Sequence, residues 1–378
     1  MHASIAVLEG DGIGPEIVAE AVKVLDAVAH RFGHRFDYRR TPFGAGAWFA
    51  HGAAFPAESK AVCDAADAIL KGPAGVALAD MRAIPVDQRP ELAILELRQR
   101  YNTFANFRPV VLPRSLARLS PLRPDIVGDG IDILMIRELV GGIYFGEKVE
   151  GEHTQGSYAS DDCHYSRVQI EQVSEVAFAE AAARDCHLTV VHKSNILATS
   201  RLWEEVVEEL APRFPAVDYS SILVDNAAFQ LAVNPAQFNG VMLLDNMQGD
   251  ILSDQAGGIV GSLGLMCSAS AGPEKSYYEA VHGSAPDIAG RGVANPFSLI
   301  GSAALLLDKS FGLGAEAKAV WSALWDALET GRVTVDLASE GGPEALSTAE
   351  FGDVVAAGVL AYGHPDEADR ADGAERDR

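Results

Sequence analysis

Short apolar runs alternate along the chain with amphipathic stretches of helical period, the sequence form of a layered α/β fold. Ser4–Leu8 reads as a buried strand and Gly10–Gly14 as a tight loop, with Pro15 suited to the first position of a helix. Behind it, Ile17, Val18, Ala21, Val22, Leu25 and Val28 fall on one apolar stripe. The pattern predicts further strands at Ala68–Leu70, Phe104–Val111, Ile131–Ile136, His187–His192, Ser221–Val224 and Val241–Leu244. It predicts helices at Val168–Ala182, Arg201–Leu210, Ala315–Thr330 and Thr348–Ala361. From His364 to Arg378 the chain is acidic and Arg-containing without apolar periodicity, which reads as a disordered tail.

Composition adds scale and exclusions. The chain has 378 residues, enough for two domains or one large α/β unit. No repeat or low-complexity linker marks a boundary. With 48% hydrophobic and 22% charged residues it is an ordinary globular sequence. Thirty basic against 53 acidic side chains give a formal charge of −23, which argues against a nucleic-acid partner. The four cysteines (Cys63, Cys163, Cys186, Cys267) lie far apart and read as reduced thiols. No apolar run is long enough to span a membrane, and Ile5–Leu8 is too short for a signal-peptide core. These features point to a cytoplasmic protein.

Five groups of residues carry candidate chemistry. Gly10-Asp11-Gly12-Ile13-Gly14-Pro15-Glu16 follows a strand and opens a helix, as a phosphate-binding loop would. Its glycine spacing is not G-x-G-x-x-G and Pro15 removes a donor, so a purely structural turn is the competing reading. Arg98, Arg108 and Arg137 each border an apolar segment, and Arg137 ends a strongly apolar strand. Guanidinium forks in such places suit the carboxylates of a di- or tricarboxylate, against the plainer reading of surface ion pairs. Asp250 and Asp254 share one helix face beside a strand end, with Asp225 a possible third carboxylate. Oxygen donors without His or Cys point to Mg²⁺ or Mn²⁺, unless this is only a solvated acidic face. Lys193 at the end of an apolar strand, and Tyr144 among glycines, are candidate proton-transfer groups; taken alone, Lys193 reads better as a plain surface lysine and Tyr144 equally well as an aromatic packed over a turn. The loop His282–Gly290 carries Asp287, which would accept from a ribose diol and repel a 2′-phosphate, favouring NAD over NADP.

Taken in order along the chain, these segments resemble the β-decarboxylating dehydrogenase family, whose branches act on 3-isopropylmalate, isocitrate, homoisocitrate and tartrate. The carriers are GDGIGPE at 10–16, FANFRP at 104–109, RELVGGIYFGE at 137–147, VDNAA at 224–228, GDILSD at 249–254, SLGL at 262–265 and HGSAPDIAGRGVANP at 282–296. The resemblance is strongest to the isopropylmalate branch. It implies the isopropylmalate/isocitrate dehydrogenase-like α/β fold, not the Rossmann fold, with two interleaved domains. One is a large cofactor-binding domain from 1–100 and 251–362; the other is a small domain from 101–250 carrying a dimer interface, followed by the tail 363–378.

The resemblance also assigns roles. Arg98, Arg108 and Arg137 would hold the malate carboxylates. Asp225, Asp250 and Asp254 would hold Mg²⁺ or Mn²⁺, with Asp225 supplied by the partner of a homodimer with shared active sites. Lys193, also from the partner, would assist removal of the hydroxyl proton, and Tyr144 would protonate the enolate. Glu91, Ile94, Leu95 and Ile196 would form the pocket for the 3-substituent. His282, Gly283, Ser284, Ala285, Asp287, Ile288 and Asn295 would bind NAD. The implied reaction is NAD-dependent oxidative decarboxylation of a small 3-substituted malate, most simply 3-isopropylmalate in leucine biosynthesis. Lys71-Gly72-Pro73-Ala74-Gly75, His192, Val140, Gln248 and Ala280 depart from the isopropylmalate pattern. They leave open a paralogue specialised for another 3-substituted malate.

Overall fold

The computed structural model describes residues 1–338 and 343–363, so the expected disordered tail lies almost wholly outside the described residues. The strands are β1 (His2–Leu8), β2 (Arg35–Thr41), β3 (Ala68–Lys71), β4 (Ala105–Pro113), β5 (Gly130–Glu138) and β6 (Lys148–His153). They continue as β7 (Gly156–Asp161), β8 (Leu188–His192), β9 (Tyr219–Leu223), β10 (Gly240–Leu244), β11 (Cys267–Ala271) and β12 (Tyr277–Ala280). Ten of them form one mixed sheet in the order β2-β1-β3-β12-β11-β4-β5-β10-β8-β9, while β6 and β7 make a separate hairpin.

Both flanks of the sheet are parallel and its middle is antiparallel. The run β2-β1-β3-β12 is parallel, as is β5-β10-β8-β9. The pairs β12–β11, β11–β4 and β4–β5 are antiparallel and join the two. Parallel strands covered by helices on both faces read as continuous apolar runs, and Ile5–Leu8 and Val241–Leu244 are buried throughout. That is why these strands were legible in the sequence.

The helix Gly14–Phe32 begins with Pro15 and ends at Gly33, whose φ of +73° gives the left-handed cap. Its stripe packs against the helices Phe297–Lys309 and Thr348–Ala361. Capping boxes fix the starts of Arg167–Arg184 (Ser166 with Gln169) and Thr348–Ala361 (Ser347 with Glu350). The other two expected helices are found as Ala198–Leu210 and Gly314–Glu329.

Some elements differ from the sequence expectation. The strand expected at Ser221–Val224 is β9, two residues earlier, and Val224 opens a helix, Val224–Val233. Asp225 therefore sits in a helix's first turn. β2 is a polar edge strand, and β11 is built of small residues (CSASA), so neither has the apolar signature of a core strand. The helix Phe297–Lys309 is buried almost all round, which erases the one-sided stripe that betrays amphipathic helices. None of the four cysteines is paired. No helix among the described residues is long and apolar enough to cross a membrane.

Candidate active site

The antiparallel middle of the sheet collects the predicted charged residues. Arg137 is the last residue but one of β5, with 1% of its surface exposed, and its strand neighbour across the ladder is Asn106 on β4. Its side chain crosses the helix Asn246–Val260 at Gly249, where any Cβ would stand 2.7 Å from the arginine's Cγ. Gly249 thus lets the guanidinium reach Asp250, to whose Oδ1 it is hydrogen-bonded through Nη1. Arg137 Nη2 donates to Asn246 Oδ1 at 2.8 Å, and Asn246 Nδ2 donates in turn to the Gly141 carbonyl at 3.0 Å. Its buried Nε has no partner among the described residues.

Tyr144 follows on a short helical turn, Gly142–Tyr144, and its Oη donates to the other oxygen of Asp250 at 2.8 Å. Burial, with the Asp250 charge beside it, pushes the phenol up to about 12. Burial also works against the ionised form of Asp250, but the Arg137 and Arg108 charges outweigh it and hold the carboxyl below its usual value. Arg108 on β4 is 5% exposed; its Nε donates to Asn106 Oδ1 at 2.8 Å and its Nη1 to Ser253 Oγ at 2.5 Å. Its Nη1 is 3.4 Å from Asp254 Oδ1. Burial raises Asp254, whose charge is less fully compensated.

Arg98 belongs to the helix Pro90–Arg100, whose wall also presents Glu91, Ile94 and Leu95. These four, with Arg137, Tyr144, Asp250 and Lys148, line one cavity of about 350 Å³. On its buried side Arg98 Nε donates to Tyr277 Oη at 3.3 Å. Glu279, two residues beyond Tyr277 on β12, faces Lys71 at the end of β3, and Lys71 Nζ meets Glu279 Oε2 at 2.6 Å. Glu279 is pressed upward by burial, but the Lys71 and Arg98 charges hold it below its usual value.

Not every expected member joins this cluster. Lys193 and Asp225 are ion-paired with each other, and Lys193 holds the Asp225 carboxyl low. Ile196, on the turn after Lys193, is 68% exposed and does not line the cavity. Among the described residues no three His, Cys, Asp or Glu side chains stand close enough to hold a metal ion. Asp250 and Asp254 offer only hard oxygen donors, one helical turn apart, with no His or Cys, which fits Mg²⁺ or Mn²⁺ once a further carboxylate is supplied.

A second cavity, about 420 Å³ with mostly apolar walls, lies on the β12 side of the sheet. His282, Gly283, Ala285, Ile288 and Asn295 line it as expected, joined by Ile13, Leu263 and Asp336. Asp336 accepts from Ser262 Oγ at 2.7 Å and from Asn295 Nδ2 at 3.1 Å, and so fixes the Asn295 amide. Burial keeps His282 below its usual value and therefore neutral. Ser284 and Asp287 do not line this cavity: Ser284 is buried with its carbonyl bonded to Ile13 N, and Asp287 is exposed beyond the rim.

The glycine loop proves structural. Asp11 accepts from the backbone N–H groups of Ala45, Gly46 and Gly75 at 2.7 to 2.8 Å. Gly10 and Gly12, both at positive φ, would drive a Cβ to 2.0 Å from the carbonyls of Pro73 and Ser284. Asp11 N and Ile13 N donate to the Pro73 and Ser284 carbonyls at 2.8 Å, so these two backbone donors of the loop are used within the protein. Sequence reasoning gave no role to Asn246, Gly249, Lys71, Glu279 or Lys148. The G-D pair at 249–250 was the one available hint.

The family model for isocitrate/isopropylmalate dehydrogenase matches residues 4–355. A 3-isopropylmalate dehydrogenase of Moorella thermoacetica is 46% identical over 352 residues, covering 93% of this chain and 97% of that protein. One from Bacillus subtilis is 46% identical over 345 residues, covering 89% and 92%. The crystal structure of isocitrate dehydrogenase from Methylococcus capsulatus superposes with a TM-score of 0.84 at 31% identity, covering 95% of this chain and all of that one. That of a β-decarboxylating dehydrogenase from Thermococcus kodakarensis gives 0.74 at 31% identity, covering 94% and 96%.

Proposed function

The chain belongs to the isocitrate/isopropylmalate dehydrogenase family of β-decarboxylating dehydrogenases, and we propose that it converts 3-isopropylmalate to 4-methyl-2-oxopentanoate with NAD as oxidant, a step of leucine biosynthesis. The observation that carries this reading is the composition of the 350 Å³ cavity: two buried arginines and a tyrosine–aspartate pair share its lining with Ile94 and Leu95. The arginines suit carboxylates and the aliphatic side chains suit a branched alkyl group. Glu91 would repel a third carboxylate, and the Lys148 ammonium is already bonded to three backbone carbonyls. Both features disfavour isocitrate or homoisocitrate.

Arg98, Arg108 and Arg137 receive the malate carboxylates, and Arg108 in addition faces the two aspartates. Lys193 assists removal of the C2 hydroxyl proton as hydride leaves. Tyr144, whose raised pKa keeps it protonated, returns a proton to the carbon from which CO₂ departed. Asp250 and Asp254, with Asp225 from a second copy, would hold a divalent cation, which would supply Lewis-acid polarisation of the C2 oxygen, and NAD would supply the oxidant. The adenosine half of NAD suits the apolar cavity around Ile288, with Asn295 held by Asp336 as its polar contact and Asp287 outside to meet a ribose.

Lys193 and Asp225 reach this site from a second copy of the chain. Asp225, Phe229 and Val233 follow each other at helical spacing, with Phe229 and Val233 61% and 44% exposed. On the neighbouring helix Met247 and Ile251 are likewise exposed, and Gln255 Nε2 bonds the Ala228 carbonyl to hold the two helices together. An apolar surface of this kind suits burial against its own symmetry mate. The division of the sheet, with β1–β3, β11 and β12 on one flank and β4, β5 and β8–β10 on the other, supports two interleaved domains.

The test is NADH formation from 3-isopropylmalate, homoisocitrate, isocitrate and tartrate, each with Mg²⁺ or Mn²⁺. The highest kcat/KM is expected for 3-isopropylmalate. A higher value for any other substrate overturns the substrate assignment and favours the specialised paralogue.

A further inference from the structure

Lys148 opens β6 directly after the turn that carries Tyr144, and it belongs to no segment that the sequence singled out. Its Nζ donates to the carbonyls of Ile143 and Tyr144 at 3.1 Å and of Gly146 at 3.2 Å. An ammonium has three N–H donors, and here a single short turn takes all of them. Carbonyls at the end of such a turn have no intrahelical partner and need one from outside. The far side of the turn is held by close packing. A Cβ at Gly142, whose φ is +72°, would stand 2.3 Å from Tyr165 Oη, and one at Gly146 would stand 1.8 Å from the Asp162 carbonyl. Between these two contacts, the Tyr144 peptide is fixed by Lys148 alone among the described side chains.

We propose that Lys148 is a positioning residue for proton delivery: by clamping the Ile143, Tyr144 and Gly146 carbonyls it holds the Tyr144 phenol against Asp250, at the edge of the substrate cavity that its own side chain helps to wall. The stem of Lys148 lines that cavity, so the clamp and the acid it aims share one wall. The charge is used inward, on backbone oxygens, and is not offered to substrate. Loss of the clamp should leave substrate binding by the arginines intact and move the phenol away from the carbon it protonates. Displacement on the order of 1 Å costs up to about 100-fold in such a step.

The inference rests on the reading of Tyr144 as the acid, and the experiment separates the two. With 3-isopropylmalate, K148M should lower kcat about 10- to 100-fold, with KM changed less than about threefold. Proton delivery should become limiting, so the solvent deuterium isotope effect on kcat rises and that from 2-deuterated substrate shrinks. K148R, which keeps clustered donors, should recover most of the rate. In a Y144F background K148M should have no further effect. Lys148 is exposed, so folding is expected to survive, and K148Q carries the same test if K148M does not fold. Wild-type rates in Y144F would refute the role of Tyr144. A crippled Y144F beside an unaffected K148M, or losses that multiply in the double variant, would overturn the role of Lys148 alone.

Discussion

Lys71 Nζ lies 2.6 Å from Glu279 Oε2, and both side chains are withdrawn from water at the point where β3 and β12 run parallel. Glu279 also feels the charges of Arg98 and Arg108, so this pair borders the arginine cluster. Breaking a buried pair by removing one partner strands the other charge, at a cost of about 3–5 kcal/mol. K71M should therefore lose stability on that scale in urea unfolding, and K71M/E279Q should regain most of it. Because Glu279 is held below its ordinary value, its contribution is present at neutral pH and fades as pH falls through its folded value. A K71M protein as stable as wild type would show that the pair is not carrying the charge of Glu279.

Glu138 gives the opposite sign. It sits fully buried behind Arg137, accepting from Val140 N at 2.7 Å and Gly141 N at 3.0 Å, and burial pushes its carboxyl up to about 7. The folded state therefore favours the protonated form. Its contribution is complete below about pH 4.5 and is lost as pH rises through 7. Relative to wild type, E138Q should become more stable by a few kcal/mol between pH 5 and pH 8. Urea unfolding of both proteins across that range measures it, and parallel curves would contradict it.

Asp287 stands exposed and outside the lining of the 420 Å³ cavity that Ile288 helps to form. A carboxylate there accepts from a ribose diol and repels a 2′-phosphate. D287R should raise KM for NAD and improve kcat/KM for NADP, by on the order of tenfold each way. Kinetics with both cofactors decide it, and an unchanged preference would place the ribose elsewhere.

If Lys193 serves the partner's site while Tyr144 serves its own, two inactive variants can repair each other. Mixing Y144F with K193M and letting the subunits reassort should restore about a quarter of wild-type activity, since half the dimers are mixed and each mixed dimer holds one intact site. No recovery, with mixed dimers confirmed by mass, would mean that each site is built from one chain.

Arg137 was legible because a charge near the end of an apolar strand is conspicuous, and Asp250 and Asp254 because two carboxylates four residues apart share a helix face. Arg98, Arg137, Tyr144 and Asp250 do meet in one cavity with Glu91, Ile94 and Leu95. What sequence could not offer is the packing behind them. Gly249 matters because Arg137 passes over it, and Asn246 because it ties that arginine to the Gly141 carbonyl. Neither has a spacing that advertises it. The glycine loop shows the converse: its composition suggests a phosphate, yet Asp11 and the flanking glycines are used up in holding three loops together. β11 escaped notice because small residues suffice where two other strands and a helix close over them.

The order of the strands also governs when the protein can fold. β3 has β1 on one side, but on the other it waits for β12: Ile69 pairs with Tyr277. At ribosomal speeds of roughly 5–20 residues per second, that partner arrives roughly ten to forty seconds later. The strands β4, β5, β8, β9 and β10 all emerge within that interval and are neighbours of one another. The middle of the chain is thus able to assemble while the nascent N-terminal strands still lack a neighbour. Until β12 is made, an apolar strand edge stays open, the kind of surface on which molecular chaperones act.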